Sequence, residues 1–377
     1  MRIGISTTTI DPCFAKEGED GIGMYTRNLI IELQKLGVNI SGYSSLSLKE
    51  WLKSNKNYHS LNSVLMPQRI TSSLSAIFGL QHLQHRQITQ NINLYHVTDY
   101  QLLKLRKIPT VVTLHDAIFL KNKDFSSLKF KEYTTWVLKK LVRYADSIIT
   151  VSQAMVVDLI EYWKVPSERI TVIHNGIGNE WFQSVTEHEK QQLLSKYQLQ
   201  TGYLLFIGTL QPRKNLIRVM EAFCRLPQSF QKDHPLVIAG RVGWDCDAII
   251  EKIKELTASK VAHWLKYVPA SEIRTLYQCA GMVVYPSLCE GFGMPVLEAF
   301  ASRVPLLGSN IAAITEVAGD AALLVNPLDT EAISHGMLQL TQNTELTTRL
   351  IEQGYQRAQT MTWTRCAEAT LEIYRNL

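Results

Sequence analysis

The chain has 377 residues, 46% of them hydrophobic and 19% charged. That is an ordinary globular composition for two or three domains, and it excludes a disordered or fibrous chain. The formal net charge is +5 but uneven: residues 1–180 carry 21 lysines and arginines against 15 aspartates and glutamates, and residues 101–145 carry ten basic residues against three acidic ones, a surface suited to anions.

The opening Met1-Arg2-Ile3-Gly4-Ile5-Ser6 is too polar for a signal peptide and reads as a first β-strand. No uncharged apolar run reaches the ~18 residues that would cross a bilayer. Further short apolar runs follow at Val38–Tyr43, Leu94–Val97, Thr110–Leu114, Ser147–Val151 and Ile170–Ile173. Between them, Leu29, Ile30, Leu33 and Leu36 mark one helical face closed by Gly37, and Val137, Leu138, Leu141 and Val142 mark another. The rhythm breaks at His174-Asn175-Gly176 and the polar, helix-like Glu187–Leu199. It then resumes with strands at Tyr203–Ile207, Leu236–Ala239, His263–Leu265, Met282–Tyr285, Leu306–Leu307 and Ala322–Val325. The alternation predicts an α/β chain of parallel sheets covered by helices, with one domain over 1–174 and a second over 175–360. Six scattered cysteines without a C-x-x-C pair point to reduced thiols in the cytoplasm rather than a disulfide framework or a zinc site.

In such sheets, ligands bind beyond the carboxyl ends of the strands, so the loops there carry the chemistry. The segment Tyr285–Ala299 runs from a buried strand through Glu290, Gly291, Phe292 and Gly293 into a helix opened by Met294, Pro295 and Val296, with Glu298 one turn inside. Its glycines permit close backbone approach, and the helix start offers N–H donors to an anion. After an earlier strand, Gly208-Thr209-Leu210-Gln211-Pro212-Arg213-Lys214-Asn215 places two cations before a helix capped near Asn215, a pair able to grip a diphosphate. His115-Asp116 stands at the end of the strand Thr110–Leu114. The glycines of Gly18-Glu-Asp20-Gly21-Ile-Gly23 do not form a G-x-G-x-x-G fingerprint, which argues against a nicotinamide dehydrogenase. Asp245-Cys246-Asp247 reads as carboxylates at a helix start rather than a metal site. The basic stretch lacks a recognition motif for nucleic acid. On the helix-like Leu128–Arg143, Trp136 and Leu141 are expected to pack on the sheet, with lysines left for lipid head groups.

Together these segments resemble the retaining family 4 glycosyltransferases, and among them the mannosyltransferases of bacterial O-antigen assembly. The resemblance runs through Gly21-Ile-Gly23, His115-Asp116, Val172–Gly176, Gly208–Asn215, Val237–Gly240, Leu265–Val268 and the E-x7-E segment Glu290–Glu298. It implies a GT-B fold: two Rossmann-like domains facing across a cleft, with residues 361–377 as a helix crossing back to the first domain. It implies that Glu298 binds the nucleotide ribose, and that Glu290 and the backbone of Gly291, Phe292 and Gly293 hold the donor sugar. Lys214, helped by Arg213, would neutralise the diphosphate, joined by amides at Gly23 and Met294–Val296, with Gly21 beside Gly23 letting the donor approach. Val268 would meet the base, and His115 the sugar near the reacting carbon. Many relatives carry an arginine where Thr209 stands, and Arg213 is expected to compensate. The implied donor is GDP-mannose, with dTDP-rhamnose, UDP-glucose and UDP-N-acetylglucosamine as alternatives; a non-catalytic sugar-nucleotide or glycan binder is the contrasting reading. The implied acceptor is a glycan or a polyprenyl-diphosphate-linked saccharide. The expectation is metal-independent transfer in the cytoplasm, against the inner face of the membrane through residues 101–145, with no nucleic-acid partner.

Overall fold

The computed structural model describes residues 1–12, 20–45, 62–65, 88–89, 91–99, 105, 108–116 and 128–377. Two compact units result: Met1–Gly176 with Trp363–Leu377, and Ile177–Thr362. The sequence pattern places these borders after 174 and after 360.

Among its described residues the first unit holds seven parallel strands, β1 (Arg2–Ser6), β2 (Asn39–Ser45), β3 (Asn62–Leu65), β4 (Leu94–Val97), β5 (Thr110–Leu114), β6 (Ser147–Thr150) and β7 (Ile170–Val172), in the order β3-β2-β1-β4-β5-β6-β7. β3 was not anticipated. Its four residues, Asn-Ser-Val-Leu, are half polar and sit at the sheet edge, where the apolar signal of a buried strand is not required. The order reverses direction between β1 and β4, the place where such sheets open a ligand crevice.

Helix α1 (Gly21–Lys35) is capped by Asp20, whose carboxylate accepts from the Gly23 amide, and it buries Tyr25, Leu29 and Leu33. Leu36, expected to extend that face, is the C-cap and 37% exposed, because the backbone has left the helix there. Helix α2 (Leu128–Tyr144) buries Leu138, Leu141 and Val142 in the core. Trp136 departs from expectation. It is 38% exposed, with the Lys140 ammonium 4.2 Å from its ring centroid, a cation–π contact made at the helix surface. Of the basic stretch, Lys104, Arg106, Lys107, Lys121 and Lys123 lie outside the described residues.

The second unit opens with α3 (Glu187–Tyr197), set by a capping box between Thr186 and Glu189. Its six parallel strands are β8 (Tyr203–Ile207), β9 (Leu236–Ala239), β10 (Ala262–Lys266), β11 (Ala280–Tyr285), β12 (Leu306–Ser309) and β13 (Leu323–Val325), ordered β10-β9-β8-β11-β12-β13. Helices α4 (Leu216–Cys224), α5 (Ala270–Gln278) and α6 (Met294–Ala301) cover the sheet with others. Phe206, Phe223, Ile238 and Val284 are fully enclosed in this core. Here the winding reverses between β8 and β11, the strands that feed the Lys214 and Glu290 loops. Asp247 begins the helix Asp247–Ala258, as a first-turn carboxylate should.

The last helix, α7 (Trp363–Arg375), belongs to the first unit and packs on α1, burying Trp363, Ala367, Leu371 and Tyr374. Leu377 lies beyond its end and is 46% exposed.

Candidate active site

The loop after β8 begins at Gly208, whose φ of +138° belongs to glycine alone, with the Lys214 side chain 3.6 Å from where a Cβ would stand. Pro212–Lys214 then form a single 3-10 turn ended by Asn215 in the left-handed region at φ +63°. Asn215 was expected as a helix cap. It does occupy the N-cap of α4, yet its side chain bonds elsewhere: Nδ2 donates to the carbonyls of Pro286 (2.9 Å) and Pro327 (2.7 Å). The Leu288 amide donates to the Arg213 carbonyl at 2.8 Å. The loops after β8 and β11 are therefore tied together at the reversal point.

That tie assembles a buried charge cluster. Lys214 Nζ donates to Glu290 Oε1 and to Tyr285 Oη, each at 2.8 Å. Arg213 Nη1 donates to Glu290 Oε2 at 2.9 Å and to the Cys289 carbonyl at 3.2 Å. Side-chain exposure is 10% for Lys214, 8% for Glu290 and 19% for Arg213. Burial pushes the Glu290 carboxyl up, but Lys214 and then Arg213 outweigh it and hold the group at about 2. Burial lowers Lys214 against the pull of Glu290. Two cations thus surround one carboxylate, leaving a single net positive charge in a weakly solvated place.

Glu298 is not a surface helix residue. It is 7% exposed on α6, and its Oε2 accepts a 2.6 Å hydrogen bond from Tyr277 Oη. Burial raises its carboxyl above the usual range, against the opposing effects of Tyr277 and Lys214. Gly293 has φ +106°, and a Cβ there would stand 2.5 Å from Ile314 Cδ1, so the turn into α6 admits only glycine. Two amides expected to face a diphosphate are engaged otherwise: Val296 N–H bonds the Gly293 carbonyl at 3.0 Å, and Gly23 N–H bonds Asp20 Oδ1 at 2.8 Å. Helix closure and capping consume them, and Pro295 has no N–H to offer. Val268 is buried, two residues after Lys266 turns through φ +56°.

In the first unit, His115 Nε2 donates to the Thr98 carbonyl at 3.1 Å, and its ring meets Tyr25 edge-on at 4.6 Å. Burial lowers it to about 4, so it stands neutral with Nδ1 as an acceptor. His96 inside β4 bonds Tyr374 Oη through Nδ1 and Thr113 Oγ1, at 2.7 Å, through Nε2, and is held at about 3 by burial. Arg213, Lys214, Glu290 and Glu298 therefore share one region of the second unit, while Gly21, Gly23 and His115 belong to the first. Tyr285 and Tyr277 were not singled out from sequence. Tyr285 ends a recognised strand and had a signal; Tyr277 meets Glu298 only through tertiary packing.

The sequence matches the family models described as Glycosyl transferases group 1, over residues 188–357, and Glycosyltransferase Family 4, over residues 20–180. It is 31% identical over 285 residues to the O-antigen chain mannosyltransferase B of Escherichia coli, covering 75% of this chain and 74% of that one. The chain belongs to the family 4 glycosyltransferases. This glycosyltransferase is also 29% identical over 274 residues to the serotype-specific mannosyltransferase WbdA of Escherichia coli, covering 71% of this chain and 33% of that longer protein. It is 24% identical over 387 residues to the D-inositol 3-phosphate glycosyltransferase of Corynebacterium glutamicum, covering 94% of this chain and 91% of that one. Among solved structures, sucrose-phosphate synthase of Thermosynechococcus elongatus superposes with a TM-score of 0.79 at 19% identity, covering 100% of this chain and 98% of that one. Anabaena HepE in complex with UDP and glucose gives 0.76 at 16% identity, covering all of both chains. The fold is GT-B, and the Lys214–Glu290 cluster lies inside the group 1 match.

Proposed function

We propose that this glycosyltransferase moves mannose from GDP-mannose onto a glycan or polyprenyl-diphosphate-linked acceptor in O-antigen assembly, with retention of configuration. The observation that carries the reading is the buried pairing of Lys214 and Arg213 with Glu290 at the reversal point of the second sheet. The choice of mannose and of O-antigen is supported by the kinship to mannosyltransferase B.

In this reading Lys214 and Arg213 face the donor diphosphate. The bond from the sugar carbon to the diphosphate oxygen breaks, and the acceptor oxygen bonds to that carbon from the same face. The acceptor proton passes to the departing diphosphate oxygen. Charge growing on that oxygen is what Lys214 stabilises, a fixed electrostatic contribution that needs no reorganisation and no metal. Glu290, held at about 2, stays ionised and so acts by orienting the cations and accepting from sugar hydroxyls rather than by giving a proton. Glu298 holds the ribose, Val268 the base, and neutral His115 accepts from a donor-sugar hydroxyl.

Among the described residues no helix is long and apolar enough to cross a membrane. Contact with lipid is proposed through α2, where Lys139 and Arg143 are exposed beside the Trp136–Lys140 pair; each cation near an anionic surface contributes about 1 kcal/mol. A panel of GDP-mannose, dTDP-rhamnose, UDP-glucose and UDP-N-acetylglucosamine, read by donor hydrolysis and thermal shift, tests the assignment. GDP-mannose should be both turned over and stabilising. Turnover of a different donor alone would replace the sugar assignment, and stabilisation without turnover of any would make the protein a binder.

A further inference from the structure

Glu298 is buried at 7% exposure, and a carboxylate so placed offers a defined acceptor direction to a ribose hydroxyl only if the rotation of its plane is fixed. Its Oε2 is fixed by the 2.6 Å bond from Tyr277 Oη, and Tyr277 is itself fully buried at the last turn of α5. Water therefore has no access to replace that donor. The tyrosine ring is wedged by Trp181, edge to face, with centroids 5.4 Å apart. Around it, α5 is latched to residues 180–185. Arg274 Nη1 donates to the Glu180 carbonyl (2.6 Å), Gln278 Nε2 to the Gln183 carbonyl (2.9 Å), and the Val185 amide to Gln278 Oε1 (2.9 Å). The phenol hydroxyl has one place to go. With Oε2 committed, Oε1 is left in a set orientation as the acceptor for an incoming hydroxyl.

We propose that Tyr277 is a positioning residue that orients the Glu298 carboxylate so that it reads the ribose hydroxyls of a nucleoside diphosphate. The inference rests on the donor-site reading above and adds to it a residue that no motif contains. Tyr277 touches no substrate; it acts through Glu298, as supporting residues orient the groups that bind.

The test uses the full chain, with calorimetric titration of GDP and UDP and of their 2′,3′-dideoxy counterparts. The wild type should bind whichever ribonucleotide it prefers about tenfold or more tightly than the dideoxy form, the worth of hydrogen bonds to a charged group. In Tyr277→Phe that ratio should fall toward one while affinity for the dideoxy form stays close to wild type; the melting temperature should fall by a few degrees, because buried Glu298 Oε2 loses its donor. Adding Tyr277→Phe to Glu298→Gln should cost nothing further, since both act on one interaction. An unchanged ratio in Tyr277→Phe, or an equal loss for both nucleotide forms, would overturn the positioning role and leave the donor site standing. A wild type that binds neither diphosphate would overturn the donor site and this role together. If the phenylalanine variant does not fold, Trp181→Leu, which loosens the ring's seat, is measured the same way, and an undiminished ratio there counts against the proposal.

Discussion

Lys214 and Glu298 lie in one buried region, and on the proposed donor-site reading they carry different tasks that kinetics should separate. The Lys214 ammonium is matched in the resting site by Glu290, and its largest contribution comes when charge grows on the leaving diphosphate. Lys214→Ala should therefore lower kcat by roughly a hundredfold or more, the usual loss of an electrostatic stabiliser. Glu298→Gln should weaken nucleoside-diphosphate binding and raise KM, because the ribose is held throughout the reaction. Steady-state kinetics with titration of the diphosphate decides between them; wild-type affinity in Glu298→Gln would remove its assigned role. His96 and His115 of the first unit make a pH prediction. His96 and His115 are lowered from 6.5 to about 3 and about 4, so the fold keeps them neutral while the unfolded chain takes up their protons below 6.5. Their contribution is complete above about 6.5 and is lost as the pH falls toward 4. Urea midpoints should drop on acidification from about pH 7.5 to about pH 5, and His96→Asn should show a smaller drop. An equal drop in both would contradict the buried, neutral assignment.

At the scale of elements, the site depends on two loops whose backbones the sequence announced and whose tie it did not. Gly208 and Gly293 were legible as places of close approach, and their left-handed φ values bear out the need for glycine. Gly293→Ala would force a Cβ to 2.5 Å from Ile314 Cδ1 at φ +106°, which should cost about 1–3 kcal/mol and lower the melting temperature. An unshifted transition would mean that the turn relaxes. Asn215 was legible only as a cap, because local spacing cannot reveal that its amide reaches carbonyls 71 and 112 residues away. Asn215→Ala should loosen both loops, so both diphosphate affinity and stability should fall. Trp136 shows the limit of periodicity in the other direction. An aromatic at helical spacing was read as core, yet its ring is 38% exposed beside the Lys140 ammonium.

Across the whole molecule, parallel sheets and two units were readable because buried strands announce themselves as β-branched runs at regular intervals, whereas the GT-B fold was legible only through the resemblance carried by the Gly208–Asn215 and Glu290–Glu298 loops. The edge strand β3 was not, since an edge need not be apolar, and neither were contacts made by distant parts of the chain. The bond between His96 and Tyr374 spans 278 residues and joins α7 to the first sheet. Tyr374→Phe leaves a buried imidazole nitrogen without that partner, which should cost about 1–3 kcal/mol and lower the melting temperature by a few degrees. No change would show that the last helix is held by apolar packing alone.

Following GDP-mannose by NMR in excess EDTA tests most directly the proposed retaining transfer driven by a metal-independent cation pair. GDP should appear without added metal, and the first mannose released by hydrolysis, before mutarotation, should be the α anomer of the donor. A β anomer appearing first, or turnover only after magnesium or manganese is restored, would contradict it.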